Sequence, residues 1–483
     1  MSAPVIHFGT DGWRGVIGDD FTFGNVRRVA QATADYWKTV EQASRLFGRE
    51  RWTGGTPGQQ RAIVGFDNRF QSETYARLVA EVFSGNGITT YLPPVAVPTP
   101  AIAHAIRDKQ LCGGVMITAS HNPPRFNGYK IKAHYAGSAD AGISASVEQQ
   151  LDCSPVRYDD KLIRRYDPRP AYLDAISRFV NLKRIRKARL RIVTDSMHGT
   201  GGTLLADLLN ATPIRANRDV LFGGIAPEPI GRNLGVLCTA VKQNRADIGL
   251  ASDGDADRLG VVDERGRYVS VQIVHALLLL HLIRNRRAQP GFVVRAINST
   301  MLIDRICRAH GLPLIEVPIG FRWACQKMRQ EDVIMAGEES GSFGFRGHVP
   351  ERDGLLAALY LLELLAMTGK SVTELASALQ TEFGRSAYGR LDLPVRFIKR
   401  DPPVDLLGVP VVRVNELDGV KYIASDDSWL MFRASGTEPI TRIYCEAASA
   451  KRVRELLEWG RAMTSSKSEC RNPKQWRQIR MRK

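Results

Sequence analysis

The sequence predicts an α/β protein of several domains, closed by a smaller α+β domain at its C-terminal end. Three observations carry this. At 483 residues the chain is too long for one hydrophobic core, so two to four domains are expected. Through its middle, a short apolar run, a polar or glycine-rich loop and a helical pattern recur in that order, and such alternation builds α/β layers on mostly parallel sheets. The last part drops the alternation for consecutive strand-like runs and a single helix.

The elements follow in order. "AIVGFDNR" (62–69) is a strand leading into the helix "SETYARLVAEVFSGNG" (72–87). "GGVMITASHNPPRFNGYKIK" (113–132) is an apolar strand that stops at a serine and exits through two prolines. "RIVTDSMHGTGG" (191–202) leads to "TLLADLLN", "FVVRAINST" (292–300) to "MLIDRICRAHG", and "PLIEVPIGF" (313–321) to "RWACQKMRQ". Near the end, "RLDLPVRFI" and "SWLMFRASGTEPITRIYCEA" read as strands and "AKRVRELLEWGRAM" as a helix. Boundaries at "YDPRPAY" (166–172), near Arg267 and at "RFIKRDPP" (396–403) divide the chain into 1–165, 166–268, 269–392 and 393–483. "RWTGGTPGQQ" (51–60) is a surface loop between helix-like patterns.

Composition excludes several classes. A hydrophobic share of 44% with 24% charged residues is that of a soluble globular protein. No basic start precedes an apolar stretch in residues 1–14, so a cytoplasmic protein without a secretory signal is expected. The apolar runs 274–283 and 355–367 are shorter than the roughly 20 residues of a membrane span and read as buried helices, so no membrane partner is expected. Seven cysteines without a Cys-x-x-Cys pair read as reduced thiols. The net charge is +17, and residues 451–483 hold eleven Lys and Arg against three Glu. That tail is read as a solvated end rather than a nucleic-acid contact. The charge on the body suits an anionic small molecule.

Five stretches carry chemistry. In "DGDADR" (253–258), Asp253, Asp255 and Asp257 would repel one another without a cation, and oxygen-only ligands favour Mg²⁺, Mn²⁺ or Ca²⁺. With Glu264 they match positions 1, 3, 5 and 12 of an EF-hand, but Arg258 stands where that loop needs glycine, and the flanks read as strands. Ser120 beside His121 is not the Gly-x-Ser-x-Gly elbow of a hydrolase. As a phosphoryl carrier it would give the aspartates a purpose. "RASGTEPITR" (433–442) offers two arginines around a Ser-Gly-Thr turn, either a phosphate cradle or a capped turn before a strand. "GEESG" (337–341) suits sugar hydroxyls no better than it suits a solvated loop, and Arg14 in "FGTDGWRG" is a weak anion contact.

In this order the five stretches resemble the α-D-phosphohexomutase family of phosphoglucomutases, phosphomannomutases and phosphoglucosamine mutases, and the likeness spans nearly the whole chain. "DSMHGTGG" and "GHVPERDG" look like family segments too. The resemblance implies three related α/β domains with mixed sheets and a smaller C-terminal α+β domain around a central cleft. It implies a phosphoserine at Ser120, with one Mg²⁺ held by Ser120, Asp253, Asp255 and Asp257. His121 and Lys130 match the family's candidates for proton transfer, Lys130 as a base only with a lowered pKa, and Arg14 and Arg258 lie near the transferring group. Glu338, Ser340 and Arg322 would hold sugar hydroxyls. Arg433, Ser435, Gly436, Thr437 and Arg442 would hold the phosphate that is not transferring. The implied reaction interconverts glucose 1-phosphate and glucose 6-phosphate through glucose 1,6-bisphosphate, which is also the activator, in a monomer or homodimer. The alternatives are a phosphomannomutase, a dual enzyme, or a catalytically silent sugar-phosphate binder. Arg322 and Arg295 stand where relatives commonly have lysine, in a chain with 51 Arg against 16 Lys. Ser342 stands where several dual-specificity enzymes have histidine, with His348 as a replacement, and the central Glu of "GEESG" leans toward glucose.

Overall fold

The computed structural model describes residues 6–47, 60–395, 402–434 and 440–464. Ser435, Gly436, Thr437, most of the 51–60 loop and the basic tail beyond Thr464 lie outside the described residues.

Three mixed sheets repeat one plan. In the first, strands Thr89–Leu92, Arg61–Phe66 and Gly113–Ile117 lie side by side and parallel, and Phe126–Ala133 returns antiparallel to the third. The second repeats the order with Thr212–Ile214, Ile192–Asp195 and Ile248–Ser252, closed by the antiparallel Leu259–Asp263. The third uses Leu314–Val317, Phe292–Ala296 and Val333–Gly337, closed by Phe343–Phe345. The expectation of mostly parallel sheets therefore holds for these three strands of each sheet, and the antiparallel return strand makes each one mixed, as the resemblance implies. The return strand is what matters for the site. The loops that enter it are 118–125, 253–258 and 338–342, so the serine, aspartate and glutamate stretches occupy equivalent positions, beyond the carboxyl end of the last parallel strand. Strand Gly113–Ile117, like Ile248–Ser252 and Val333–Gly337, is buried along its whole length, which explains its unbroken apolar run.

The fourth sheet is antiparallel throughout, from Ala387–Leu393 beside Thr441–Ala447 out to the edge strand Asp405–Leu406. Helix Ala450–Thr464 packs on it through Val453 and Leu456. Ala387–Leu393 pairs along its full length in this sheet. The sequence division at 392/393 is therefore corrected: it cuts a strand of the fourth unit away from its partner. The signal it followed was the charged, proline-containing stretch 396–403, which follows the strand rather than preceding it.

Both apolar runs are buried helices. Val271–Leu280 is capped by Ser270 and has no exposed residue. Gly354–Thr368 is capped by Asp353, whose carboxylate accepts from Leu356 N, and it ends at Gly369 in the left-handed conformation (φ 66°) that glycine adopts at low cost. Their leucines form one core shared by the second and third units. Among the described residues no single helix is long and apolar enough to cross a membrane. The six described cysteines are unpaired.

The fourth unit is keyed to the third by polar groups. Glu446 accepts from Thr300 Oγ1 (2.6 Å), Met301 N (2.9 Å) and Trp429 Nε1 (2.9 Å), so it caps a helix of the neighbouring unit. Lys421, fully buried, donates to Ile297 O (2.6 Å) and stands 4.1 Å from the Trp429 ring. Burial, with Arg295 nearby, lowers its pKa from an ordinary 10.5 to about 7, against the weaker opposing pull of Glu316, Asp304 and Glu446. Between about pH 7 and 10 the unfolded chain holds this proton and the folded one does not, so stability should rise with pH across that window, by up to about 1.4 kcal/mol per unit. Chemical denaturation of wild type and Lys421→Met at several pH values checks this. The wild type should gain on the variant as pH rises, and parallel curves would contradict the assignment.

Candidate active site

Ser120 sits where the strand Gly113–Ile117 has run out and the chain turns. Its φ of 52° is left-handed, which costs a residue with a Cβ about 1–2 kcal/mol. The side chain is buried, and its hydroxyl donates to Asp253 Oδ2 at 2.6 Å, with His121 Nδ1 at 3.2 Å. The first and second units meet here. A Cβ on Gly254 would collide with the carbonyl oxygen of Ser120, so glycine is required for the aspartate loop to come this close.

Asp253, Asp255 and Asp257 are fully buried, and one carboxylate oxygen of each lies within 4.8 Å of the others. Asp253 Oδ1 accepts from Asp257 N and Arg258 N (2.9 and 3.1 Å), which aims the other oxygen at Ser120. Oδ1 of Asp255 and Oδ1 of Asp257 have no hydrogen-bond partner. Burial together with Asp257 and Asp255 pushes the Asp253 carboxyl well above the usual carboxylate range. Buried carboxylate oxygens without donors, converging on one point, fit a hard divalent cation such as Mg²⁺. The EF-hand alternative fails on the fold, because the loop joins two antiparallel strands rather than two helices.

Lys130, on the return strand Phe126–Ala133, reaches Asp255 Oδ2 and Asp11 Oδ2 at 2.9 Å and Asp257 Oδ2 at 3.5 Å. Burial favours the neutral amine, but Asp11, Asp255 and Asp257 outweigh it and hold the pKa above its ordinary value. Beside these carboxylates Lys130 carries its positive charge against the triad. His121 is the opposite case. Burial, with Arg258, Arg14, Lys130 and Arg352 around it, drives its pKa well down, so the ring is neutral. Arg14 donates to Asn122 Oδ1 (2.8 Å) and so faces the serine loop. Arg258 lies 3.9 Å from Glu228, and its buried Nε has no partner.

The third unit contributes Glu338, largely buried, whose Oε1 accepts from Gly320 N (2.8 Å) and whose carboxyl is raised by burial. Ser340 and Ser342 share a hydrogen bond of 3.1 Å. Leu259 N donates to Gly341 O (2.9 Å), which stitches this loop to the aspartate hairpin. Arg322 donates to Gly9 O (3.3 Å) and lies over Trp323, so it belongs to the same neighbourhood. Arg295 does not. It is buried within the third unit between Asp304 (2.7 Å) and Glu316 (2.6 Å). His348 does not replace a histidine at position 342 either. It bonds Asp353 Oδ2 (3.0 Å) and meets Phe179 edge-on. In the fourth unit, Arg433 and Arg442 are direct partners across two strands, and Arg433 Nε donates to Asp418 (2.9 Å). Asp418 also accepts from Ile319 N (2.9 Å), which links this arginine pair to the turn that holds Glu338.

Three site residues escaped sequence reasoning. Arg352 donates to Asp257 Oδ2 (2.7 Å) and to Asp11, so one buried guanidinium joins three units. Thr99 donates to Asp255 Oδ2 at 2.6 Å. Asp11 and Arg352 both lie within the quoted stretches "FGTDGWRG" and "GHVPERDG", but 341 positions separate them.

Comparison with known proteins agrees with this architecture. Descriptions of phosphoglucomutase/phosphomannomutase alpha/beta/alpha domains I, II and III match residues 5–154, 170–266 and 272–383, and that of the C-terminal domain matches 398–458. A phosphoglucomutase/phosphomannomutase of Thermococcus kodakarensis is 30% identical over 94% of this chain and 97% of its own. A phosphoglucosamine mutase of an Arthrobacter species is 30% identical over 91% and 93%. The crystal structure of a phosphomannomutase-like protein from Thermus thermophilus superposes with a TM-score of 0.83 at 34% identity, over 95% of this chain and 99% of that one. Three hairpin-bearing α/β units and an antiparallel fourth define a sugar-phosphate mutase, an intramolecular phosphotransferase classed as an isomerase. The chain belongs to the phosphoglucomutase/phosphomannomutase family.

Proposed function

We propose that this protein interconverts glucose 1-phosphate and glucose 6-phosphate through a phosphorylated Ser120 and a glucose 1,6-bisphosphate intermediate. The observation that carries the reading is the Ser120 hydroxyl held 2.6 Å from Asp253 within a buried triad in which Oδ1 of Asp255 and Oδ1 of Asp257 lack donors. Ser120, Asp253, Asp255 and Asp257 would hold Mg²⁺, which when bound supplies neutralisation of the charge on the transferring phosphoryl group. The chain's own part is positioning and charge. A sugar hydroxyl forms a bond to phosphorus as the bond from phosphorus to Ser120 Oγ breaks. His121 Nδ1, 3.2 Å from Oγ, is within reach of the proton that moves between the two oxygens. Lys130, Arg14 and Arg258 surround the same point with positive charge. Glu338 and Ser340, with Arg322 beside them, would grip the sugar in either of two opposite orientations. Arg433 and Arg442, with Ser435, Gly436 and Thr437 between them, would hold the idle phosphate. The four functional units are proposed to be a serine, a metal, a sugar and a phosphate unit in chain order.

The glutamate in "GEESG" favours glucose, whereas the relatives named for glucosamine or mannose favour their own sugars as the second reading. The test is kcat/KM for glucose 1-phosphate relative to mannose 1-phosphate, with Mg²⁺ and the matching bisphosphate. A ratio well above about ten, or 1.4 kcal/mol of discrimination, is expected. A ratio near one would make the enzyme dual. Turnover of glucosamine phosphate alone would overturn the glucose assignment.

A further inference from the structure

We infer that Arg69 is a positioning residue for phosphoryl transfer, setting the direction of the Ser120 hydroxyl by clamping the backbone beneath it; this rests on the reading of Ser120 as the phosphoryl carrier. Arg69 is fully buried at the end of strand Arg61–Phe66, and every N–H of its guanidinium has a partner. Nε donates to Asp67 (3.1 Å). Nη1 donates to the carbonyls of Pro123 and Phe126 (both 2.9 Å). Nη2 donates to the carbonyls of Ser120 and Asn122 (2.7 and 2.6 Å). Three carbonyls of the serine loop and that of Phe126, the first residue of the return strand, are thus gathered on a single planar fork.

The other side of Ser120 is fixed by the same acid. Ser120 N donates to Thr118 Oγ1 (2.8 Å), and Thr118 Oγ1 donates to Asp67 Oδ2 (2.5 Å). Asp67 Oδ1 also accepts from Ser72 Oγ (2.8 Å) and Arg69 N (3.0 Å). Ser120 is therefore pinned at its amide and at its carbonyl, the two ends of a left-handed residue that would relax without them. The clamp also reaches the second unit. Arg69 stands 5.0 Å from the Phe222 ring, and Asn68 donates to the carbonyls of His198 (2.8 Å) and Gly199 (3.1 Å). Arg69 is fully buried and its guanidinium donates to Asp67 and to backbone carbonyls, not to the aspartate triad, so its effect falls on the orientation of Oγ toward Asp253 and not on substrate affinity.

A lysine presents three N–H groups from one point and cannot serve four in-plane carbonyls and a carboxylate. The test uses wild type and Arg69→Lys, each incubated with Mg²⁺ and glucose 1,6-bisphosphate, then mixed with glucose 1-phosphate in a rapid-quench experiment. Intact mass, thermal melting and the dissociation constant for glucose 1-phosphate are followed in parallel. The variant should transfer its phosphoryl group about 10- to 100-fold more slowly. Its dissociation constant should stay within about threefold of wild type, a split that general loosening would not give. A folded variant with an unchanged transfer rate overturns the inference, and so does a loss confined to affinity. If Arg69→Lys does not fold, Thr118→Val frees the amide end of the same clamp and is judged by the same readouts. Failure of wild type itself to take phosphate at Ser120 overturns the underlying functional reading, and this inference with it.

Discussion

Ser120→Ala should lose turnover by about 10⁴-fold or more, because Ser120 supplies the hydroxyl held against Asp253, and a further hydroxyl at the triad, that of Thr99, is already bonded to Asp255 Oδ2. The fold should survive. The lost hydrogen bond to Asp253 is one contact in a loop whose backbone is tied by Arg69 and Thr118. The variant should melt cooperatively, bind glucose 1-phosphate and take no phosphate from glucose 1,6-bisphosphate. Activity within a few fold of wild type would mean that phosphate passes between sugars without visiting this serine.

Arg352→Met is the second large effect, and it strikes stability as well as rate. Arg352 is buried, and its guanidinium bonds Asp257 Oδ2 and Asp11 while facing Glu351 at 3.8 Å. Methionine fills much of the volume but leaves these carboxylates in low dielectric without their cation. Breaking a buried pair from one side costs about 3–5 kcal/mol, and the lower end is expected because Lys130 still faces Asp11 and Asp257. Urea unfolding should show the loss as a lower midpoint, and turnover should fall with it as the first and third units lose one of their shared contacts. An unfolding free energy unchanged within about 1 kcal/mol would show that Lys130 alone balances the cluster.

What could be read from the sequence follows a physical divide. The serine, aspartate and glutamate stretches were legible because each sits in one short hairpin loop, where local spacing sets which groups converge. The clusters between them were not. Asp11 with Arg352, and Arg69 with the carbonyls of residues 120 to 126, depend on how separate elements pack, and a carbonyl leaves no trace in residue type. Chemistry also outran residue type at Lys130, whose acidic neighbours from two units hold it charged. His348 and Arg295 were drawn toward the site by family expectation, and the fold gives His348 to a hydrogen bond with Asp353 and Arg295 to an ion pair with Asp304 instead. The strand at "RLDLPVRFI" was legible, but the division at 392/393 cut it from its partner, Thr441–Ala447, because the charged, proline-containing stretch 396–403 drew the boundary.

The central claim is that the phosphoryl group rides on Ser120. Intact mass spectrometry of the wild-type protein after incubation with Mg²⁺ and glucose 1,6-bisphosphate, followed by peptide mapping, tests it directly. A gain of one phosphoryl group on Ser120, removed on adding excess glucose 1-phosphate, is the predicted result. No gain, or a gain on any other residue, would contradict the account.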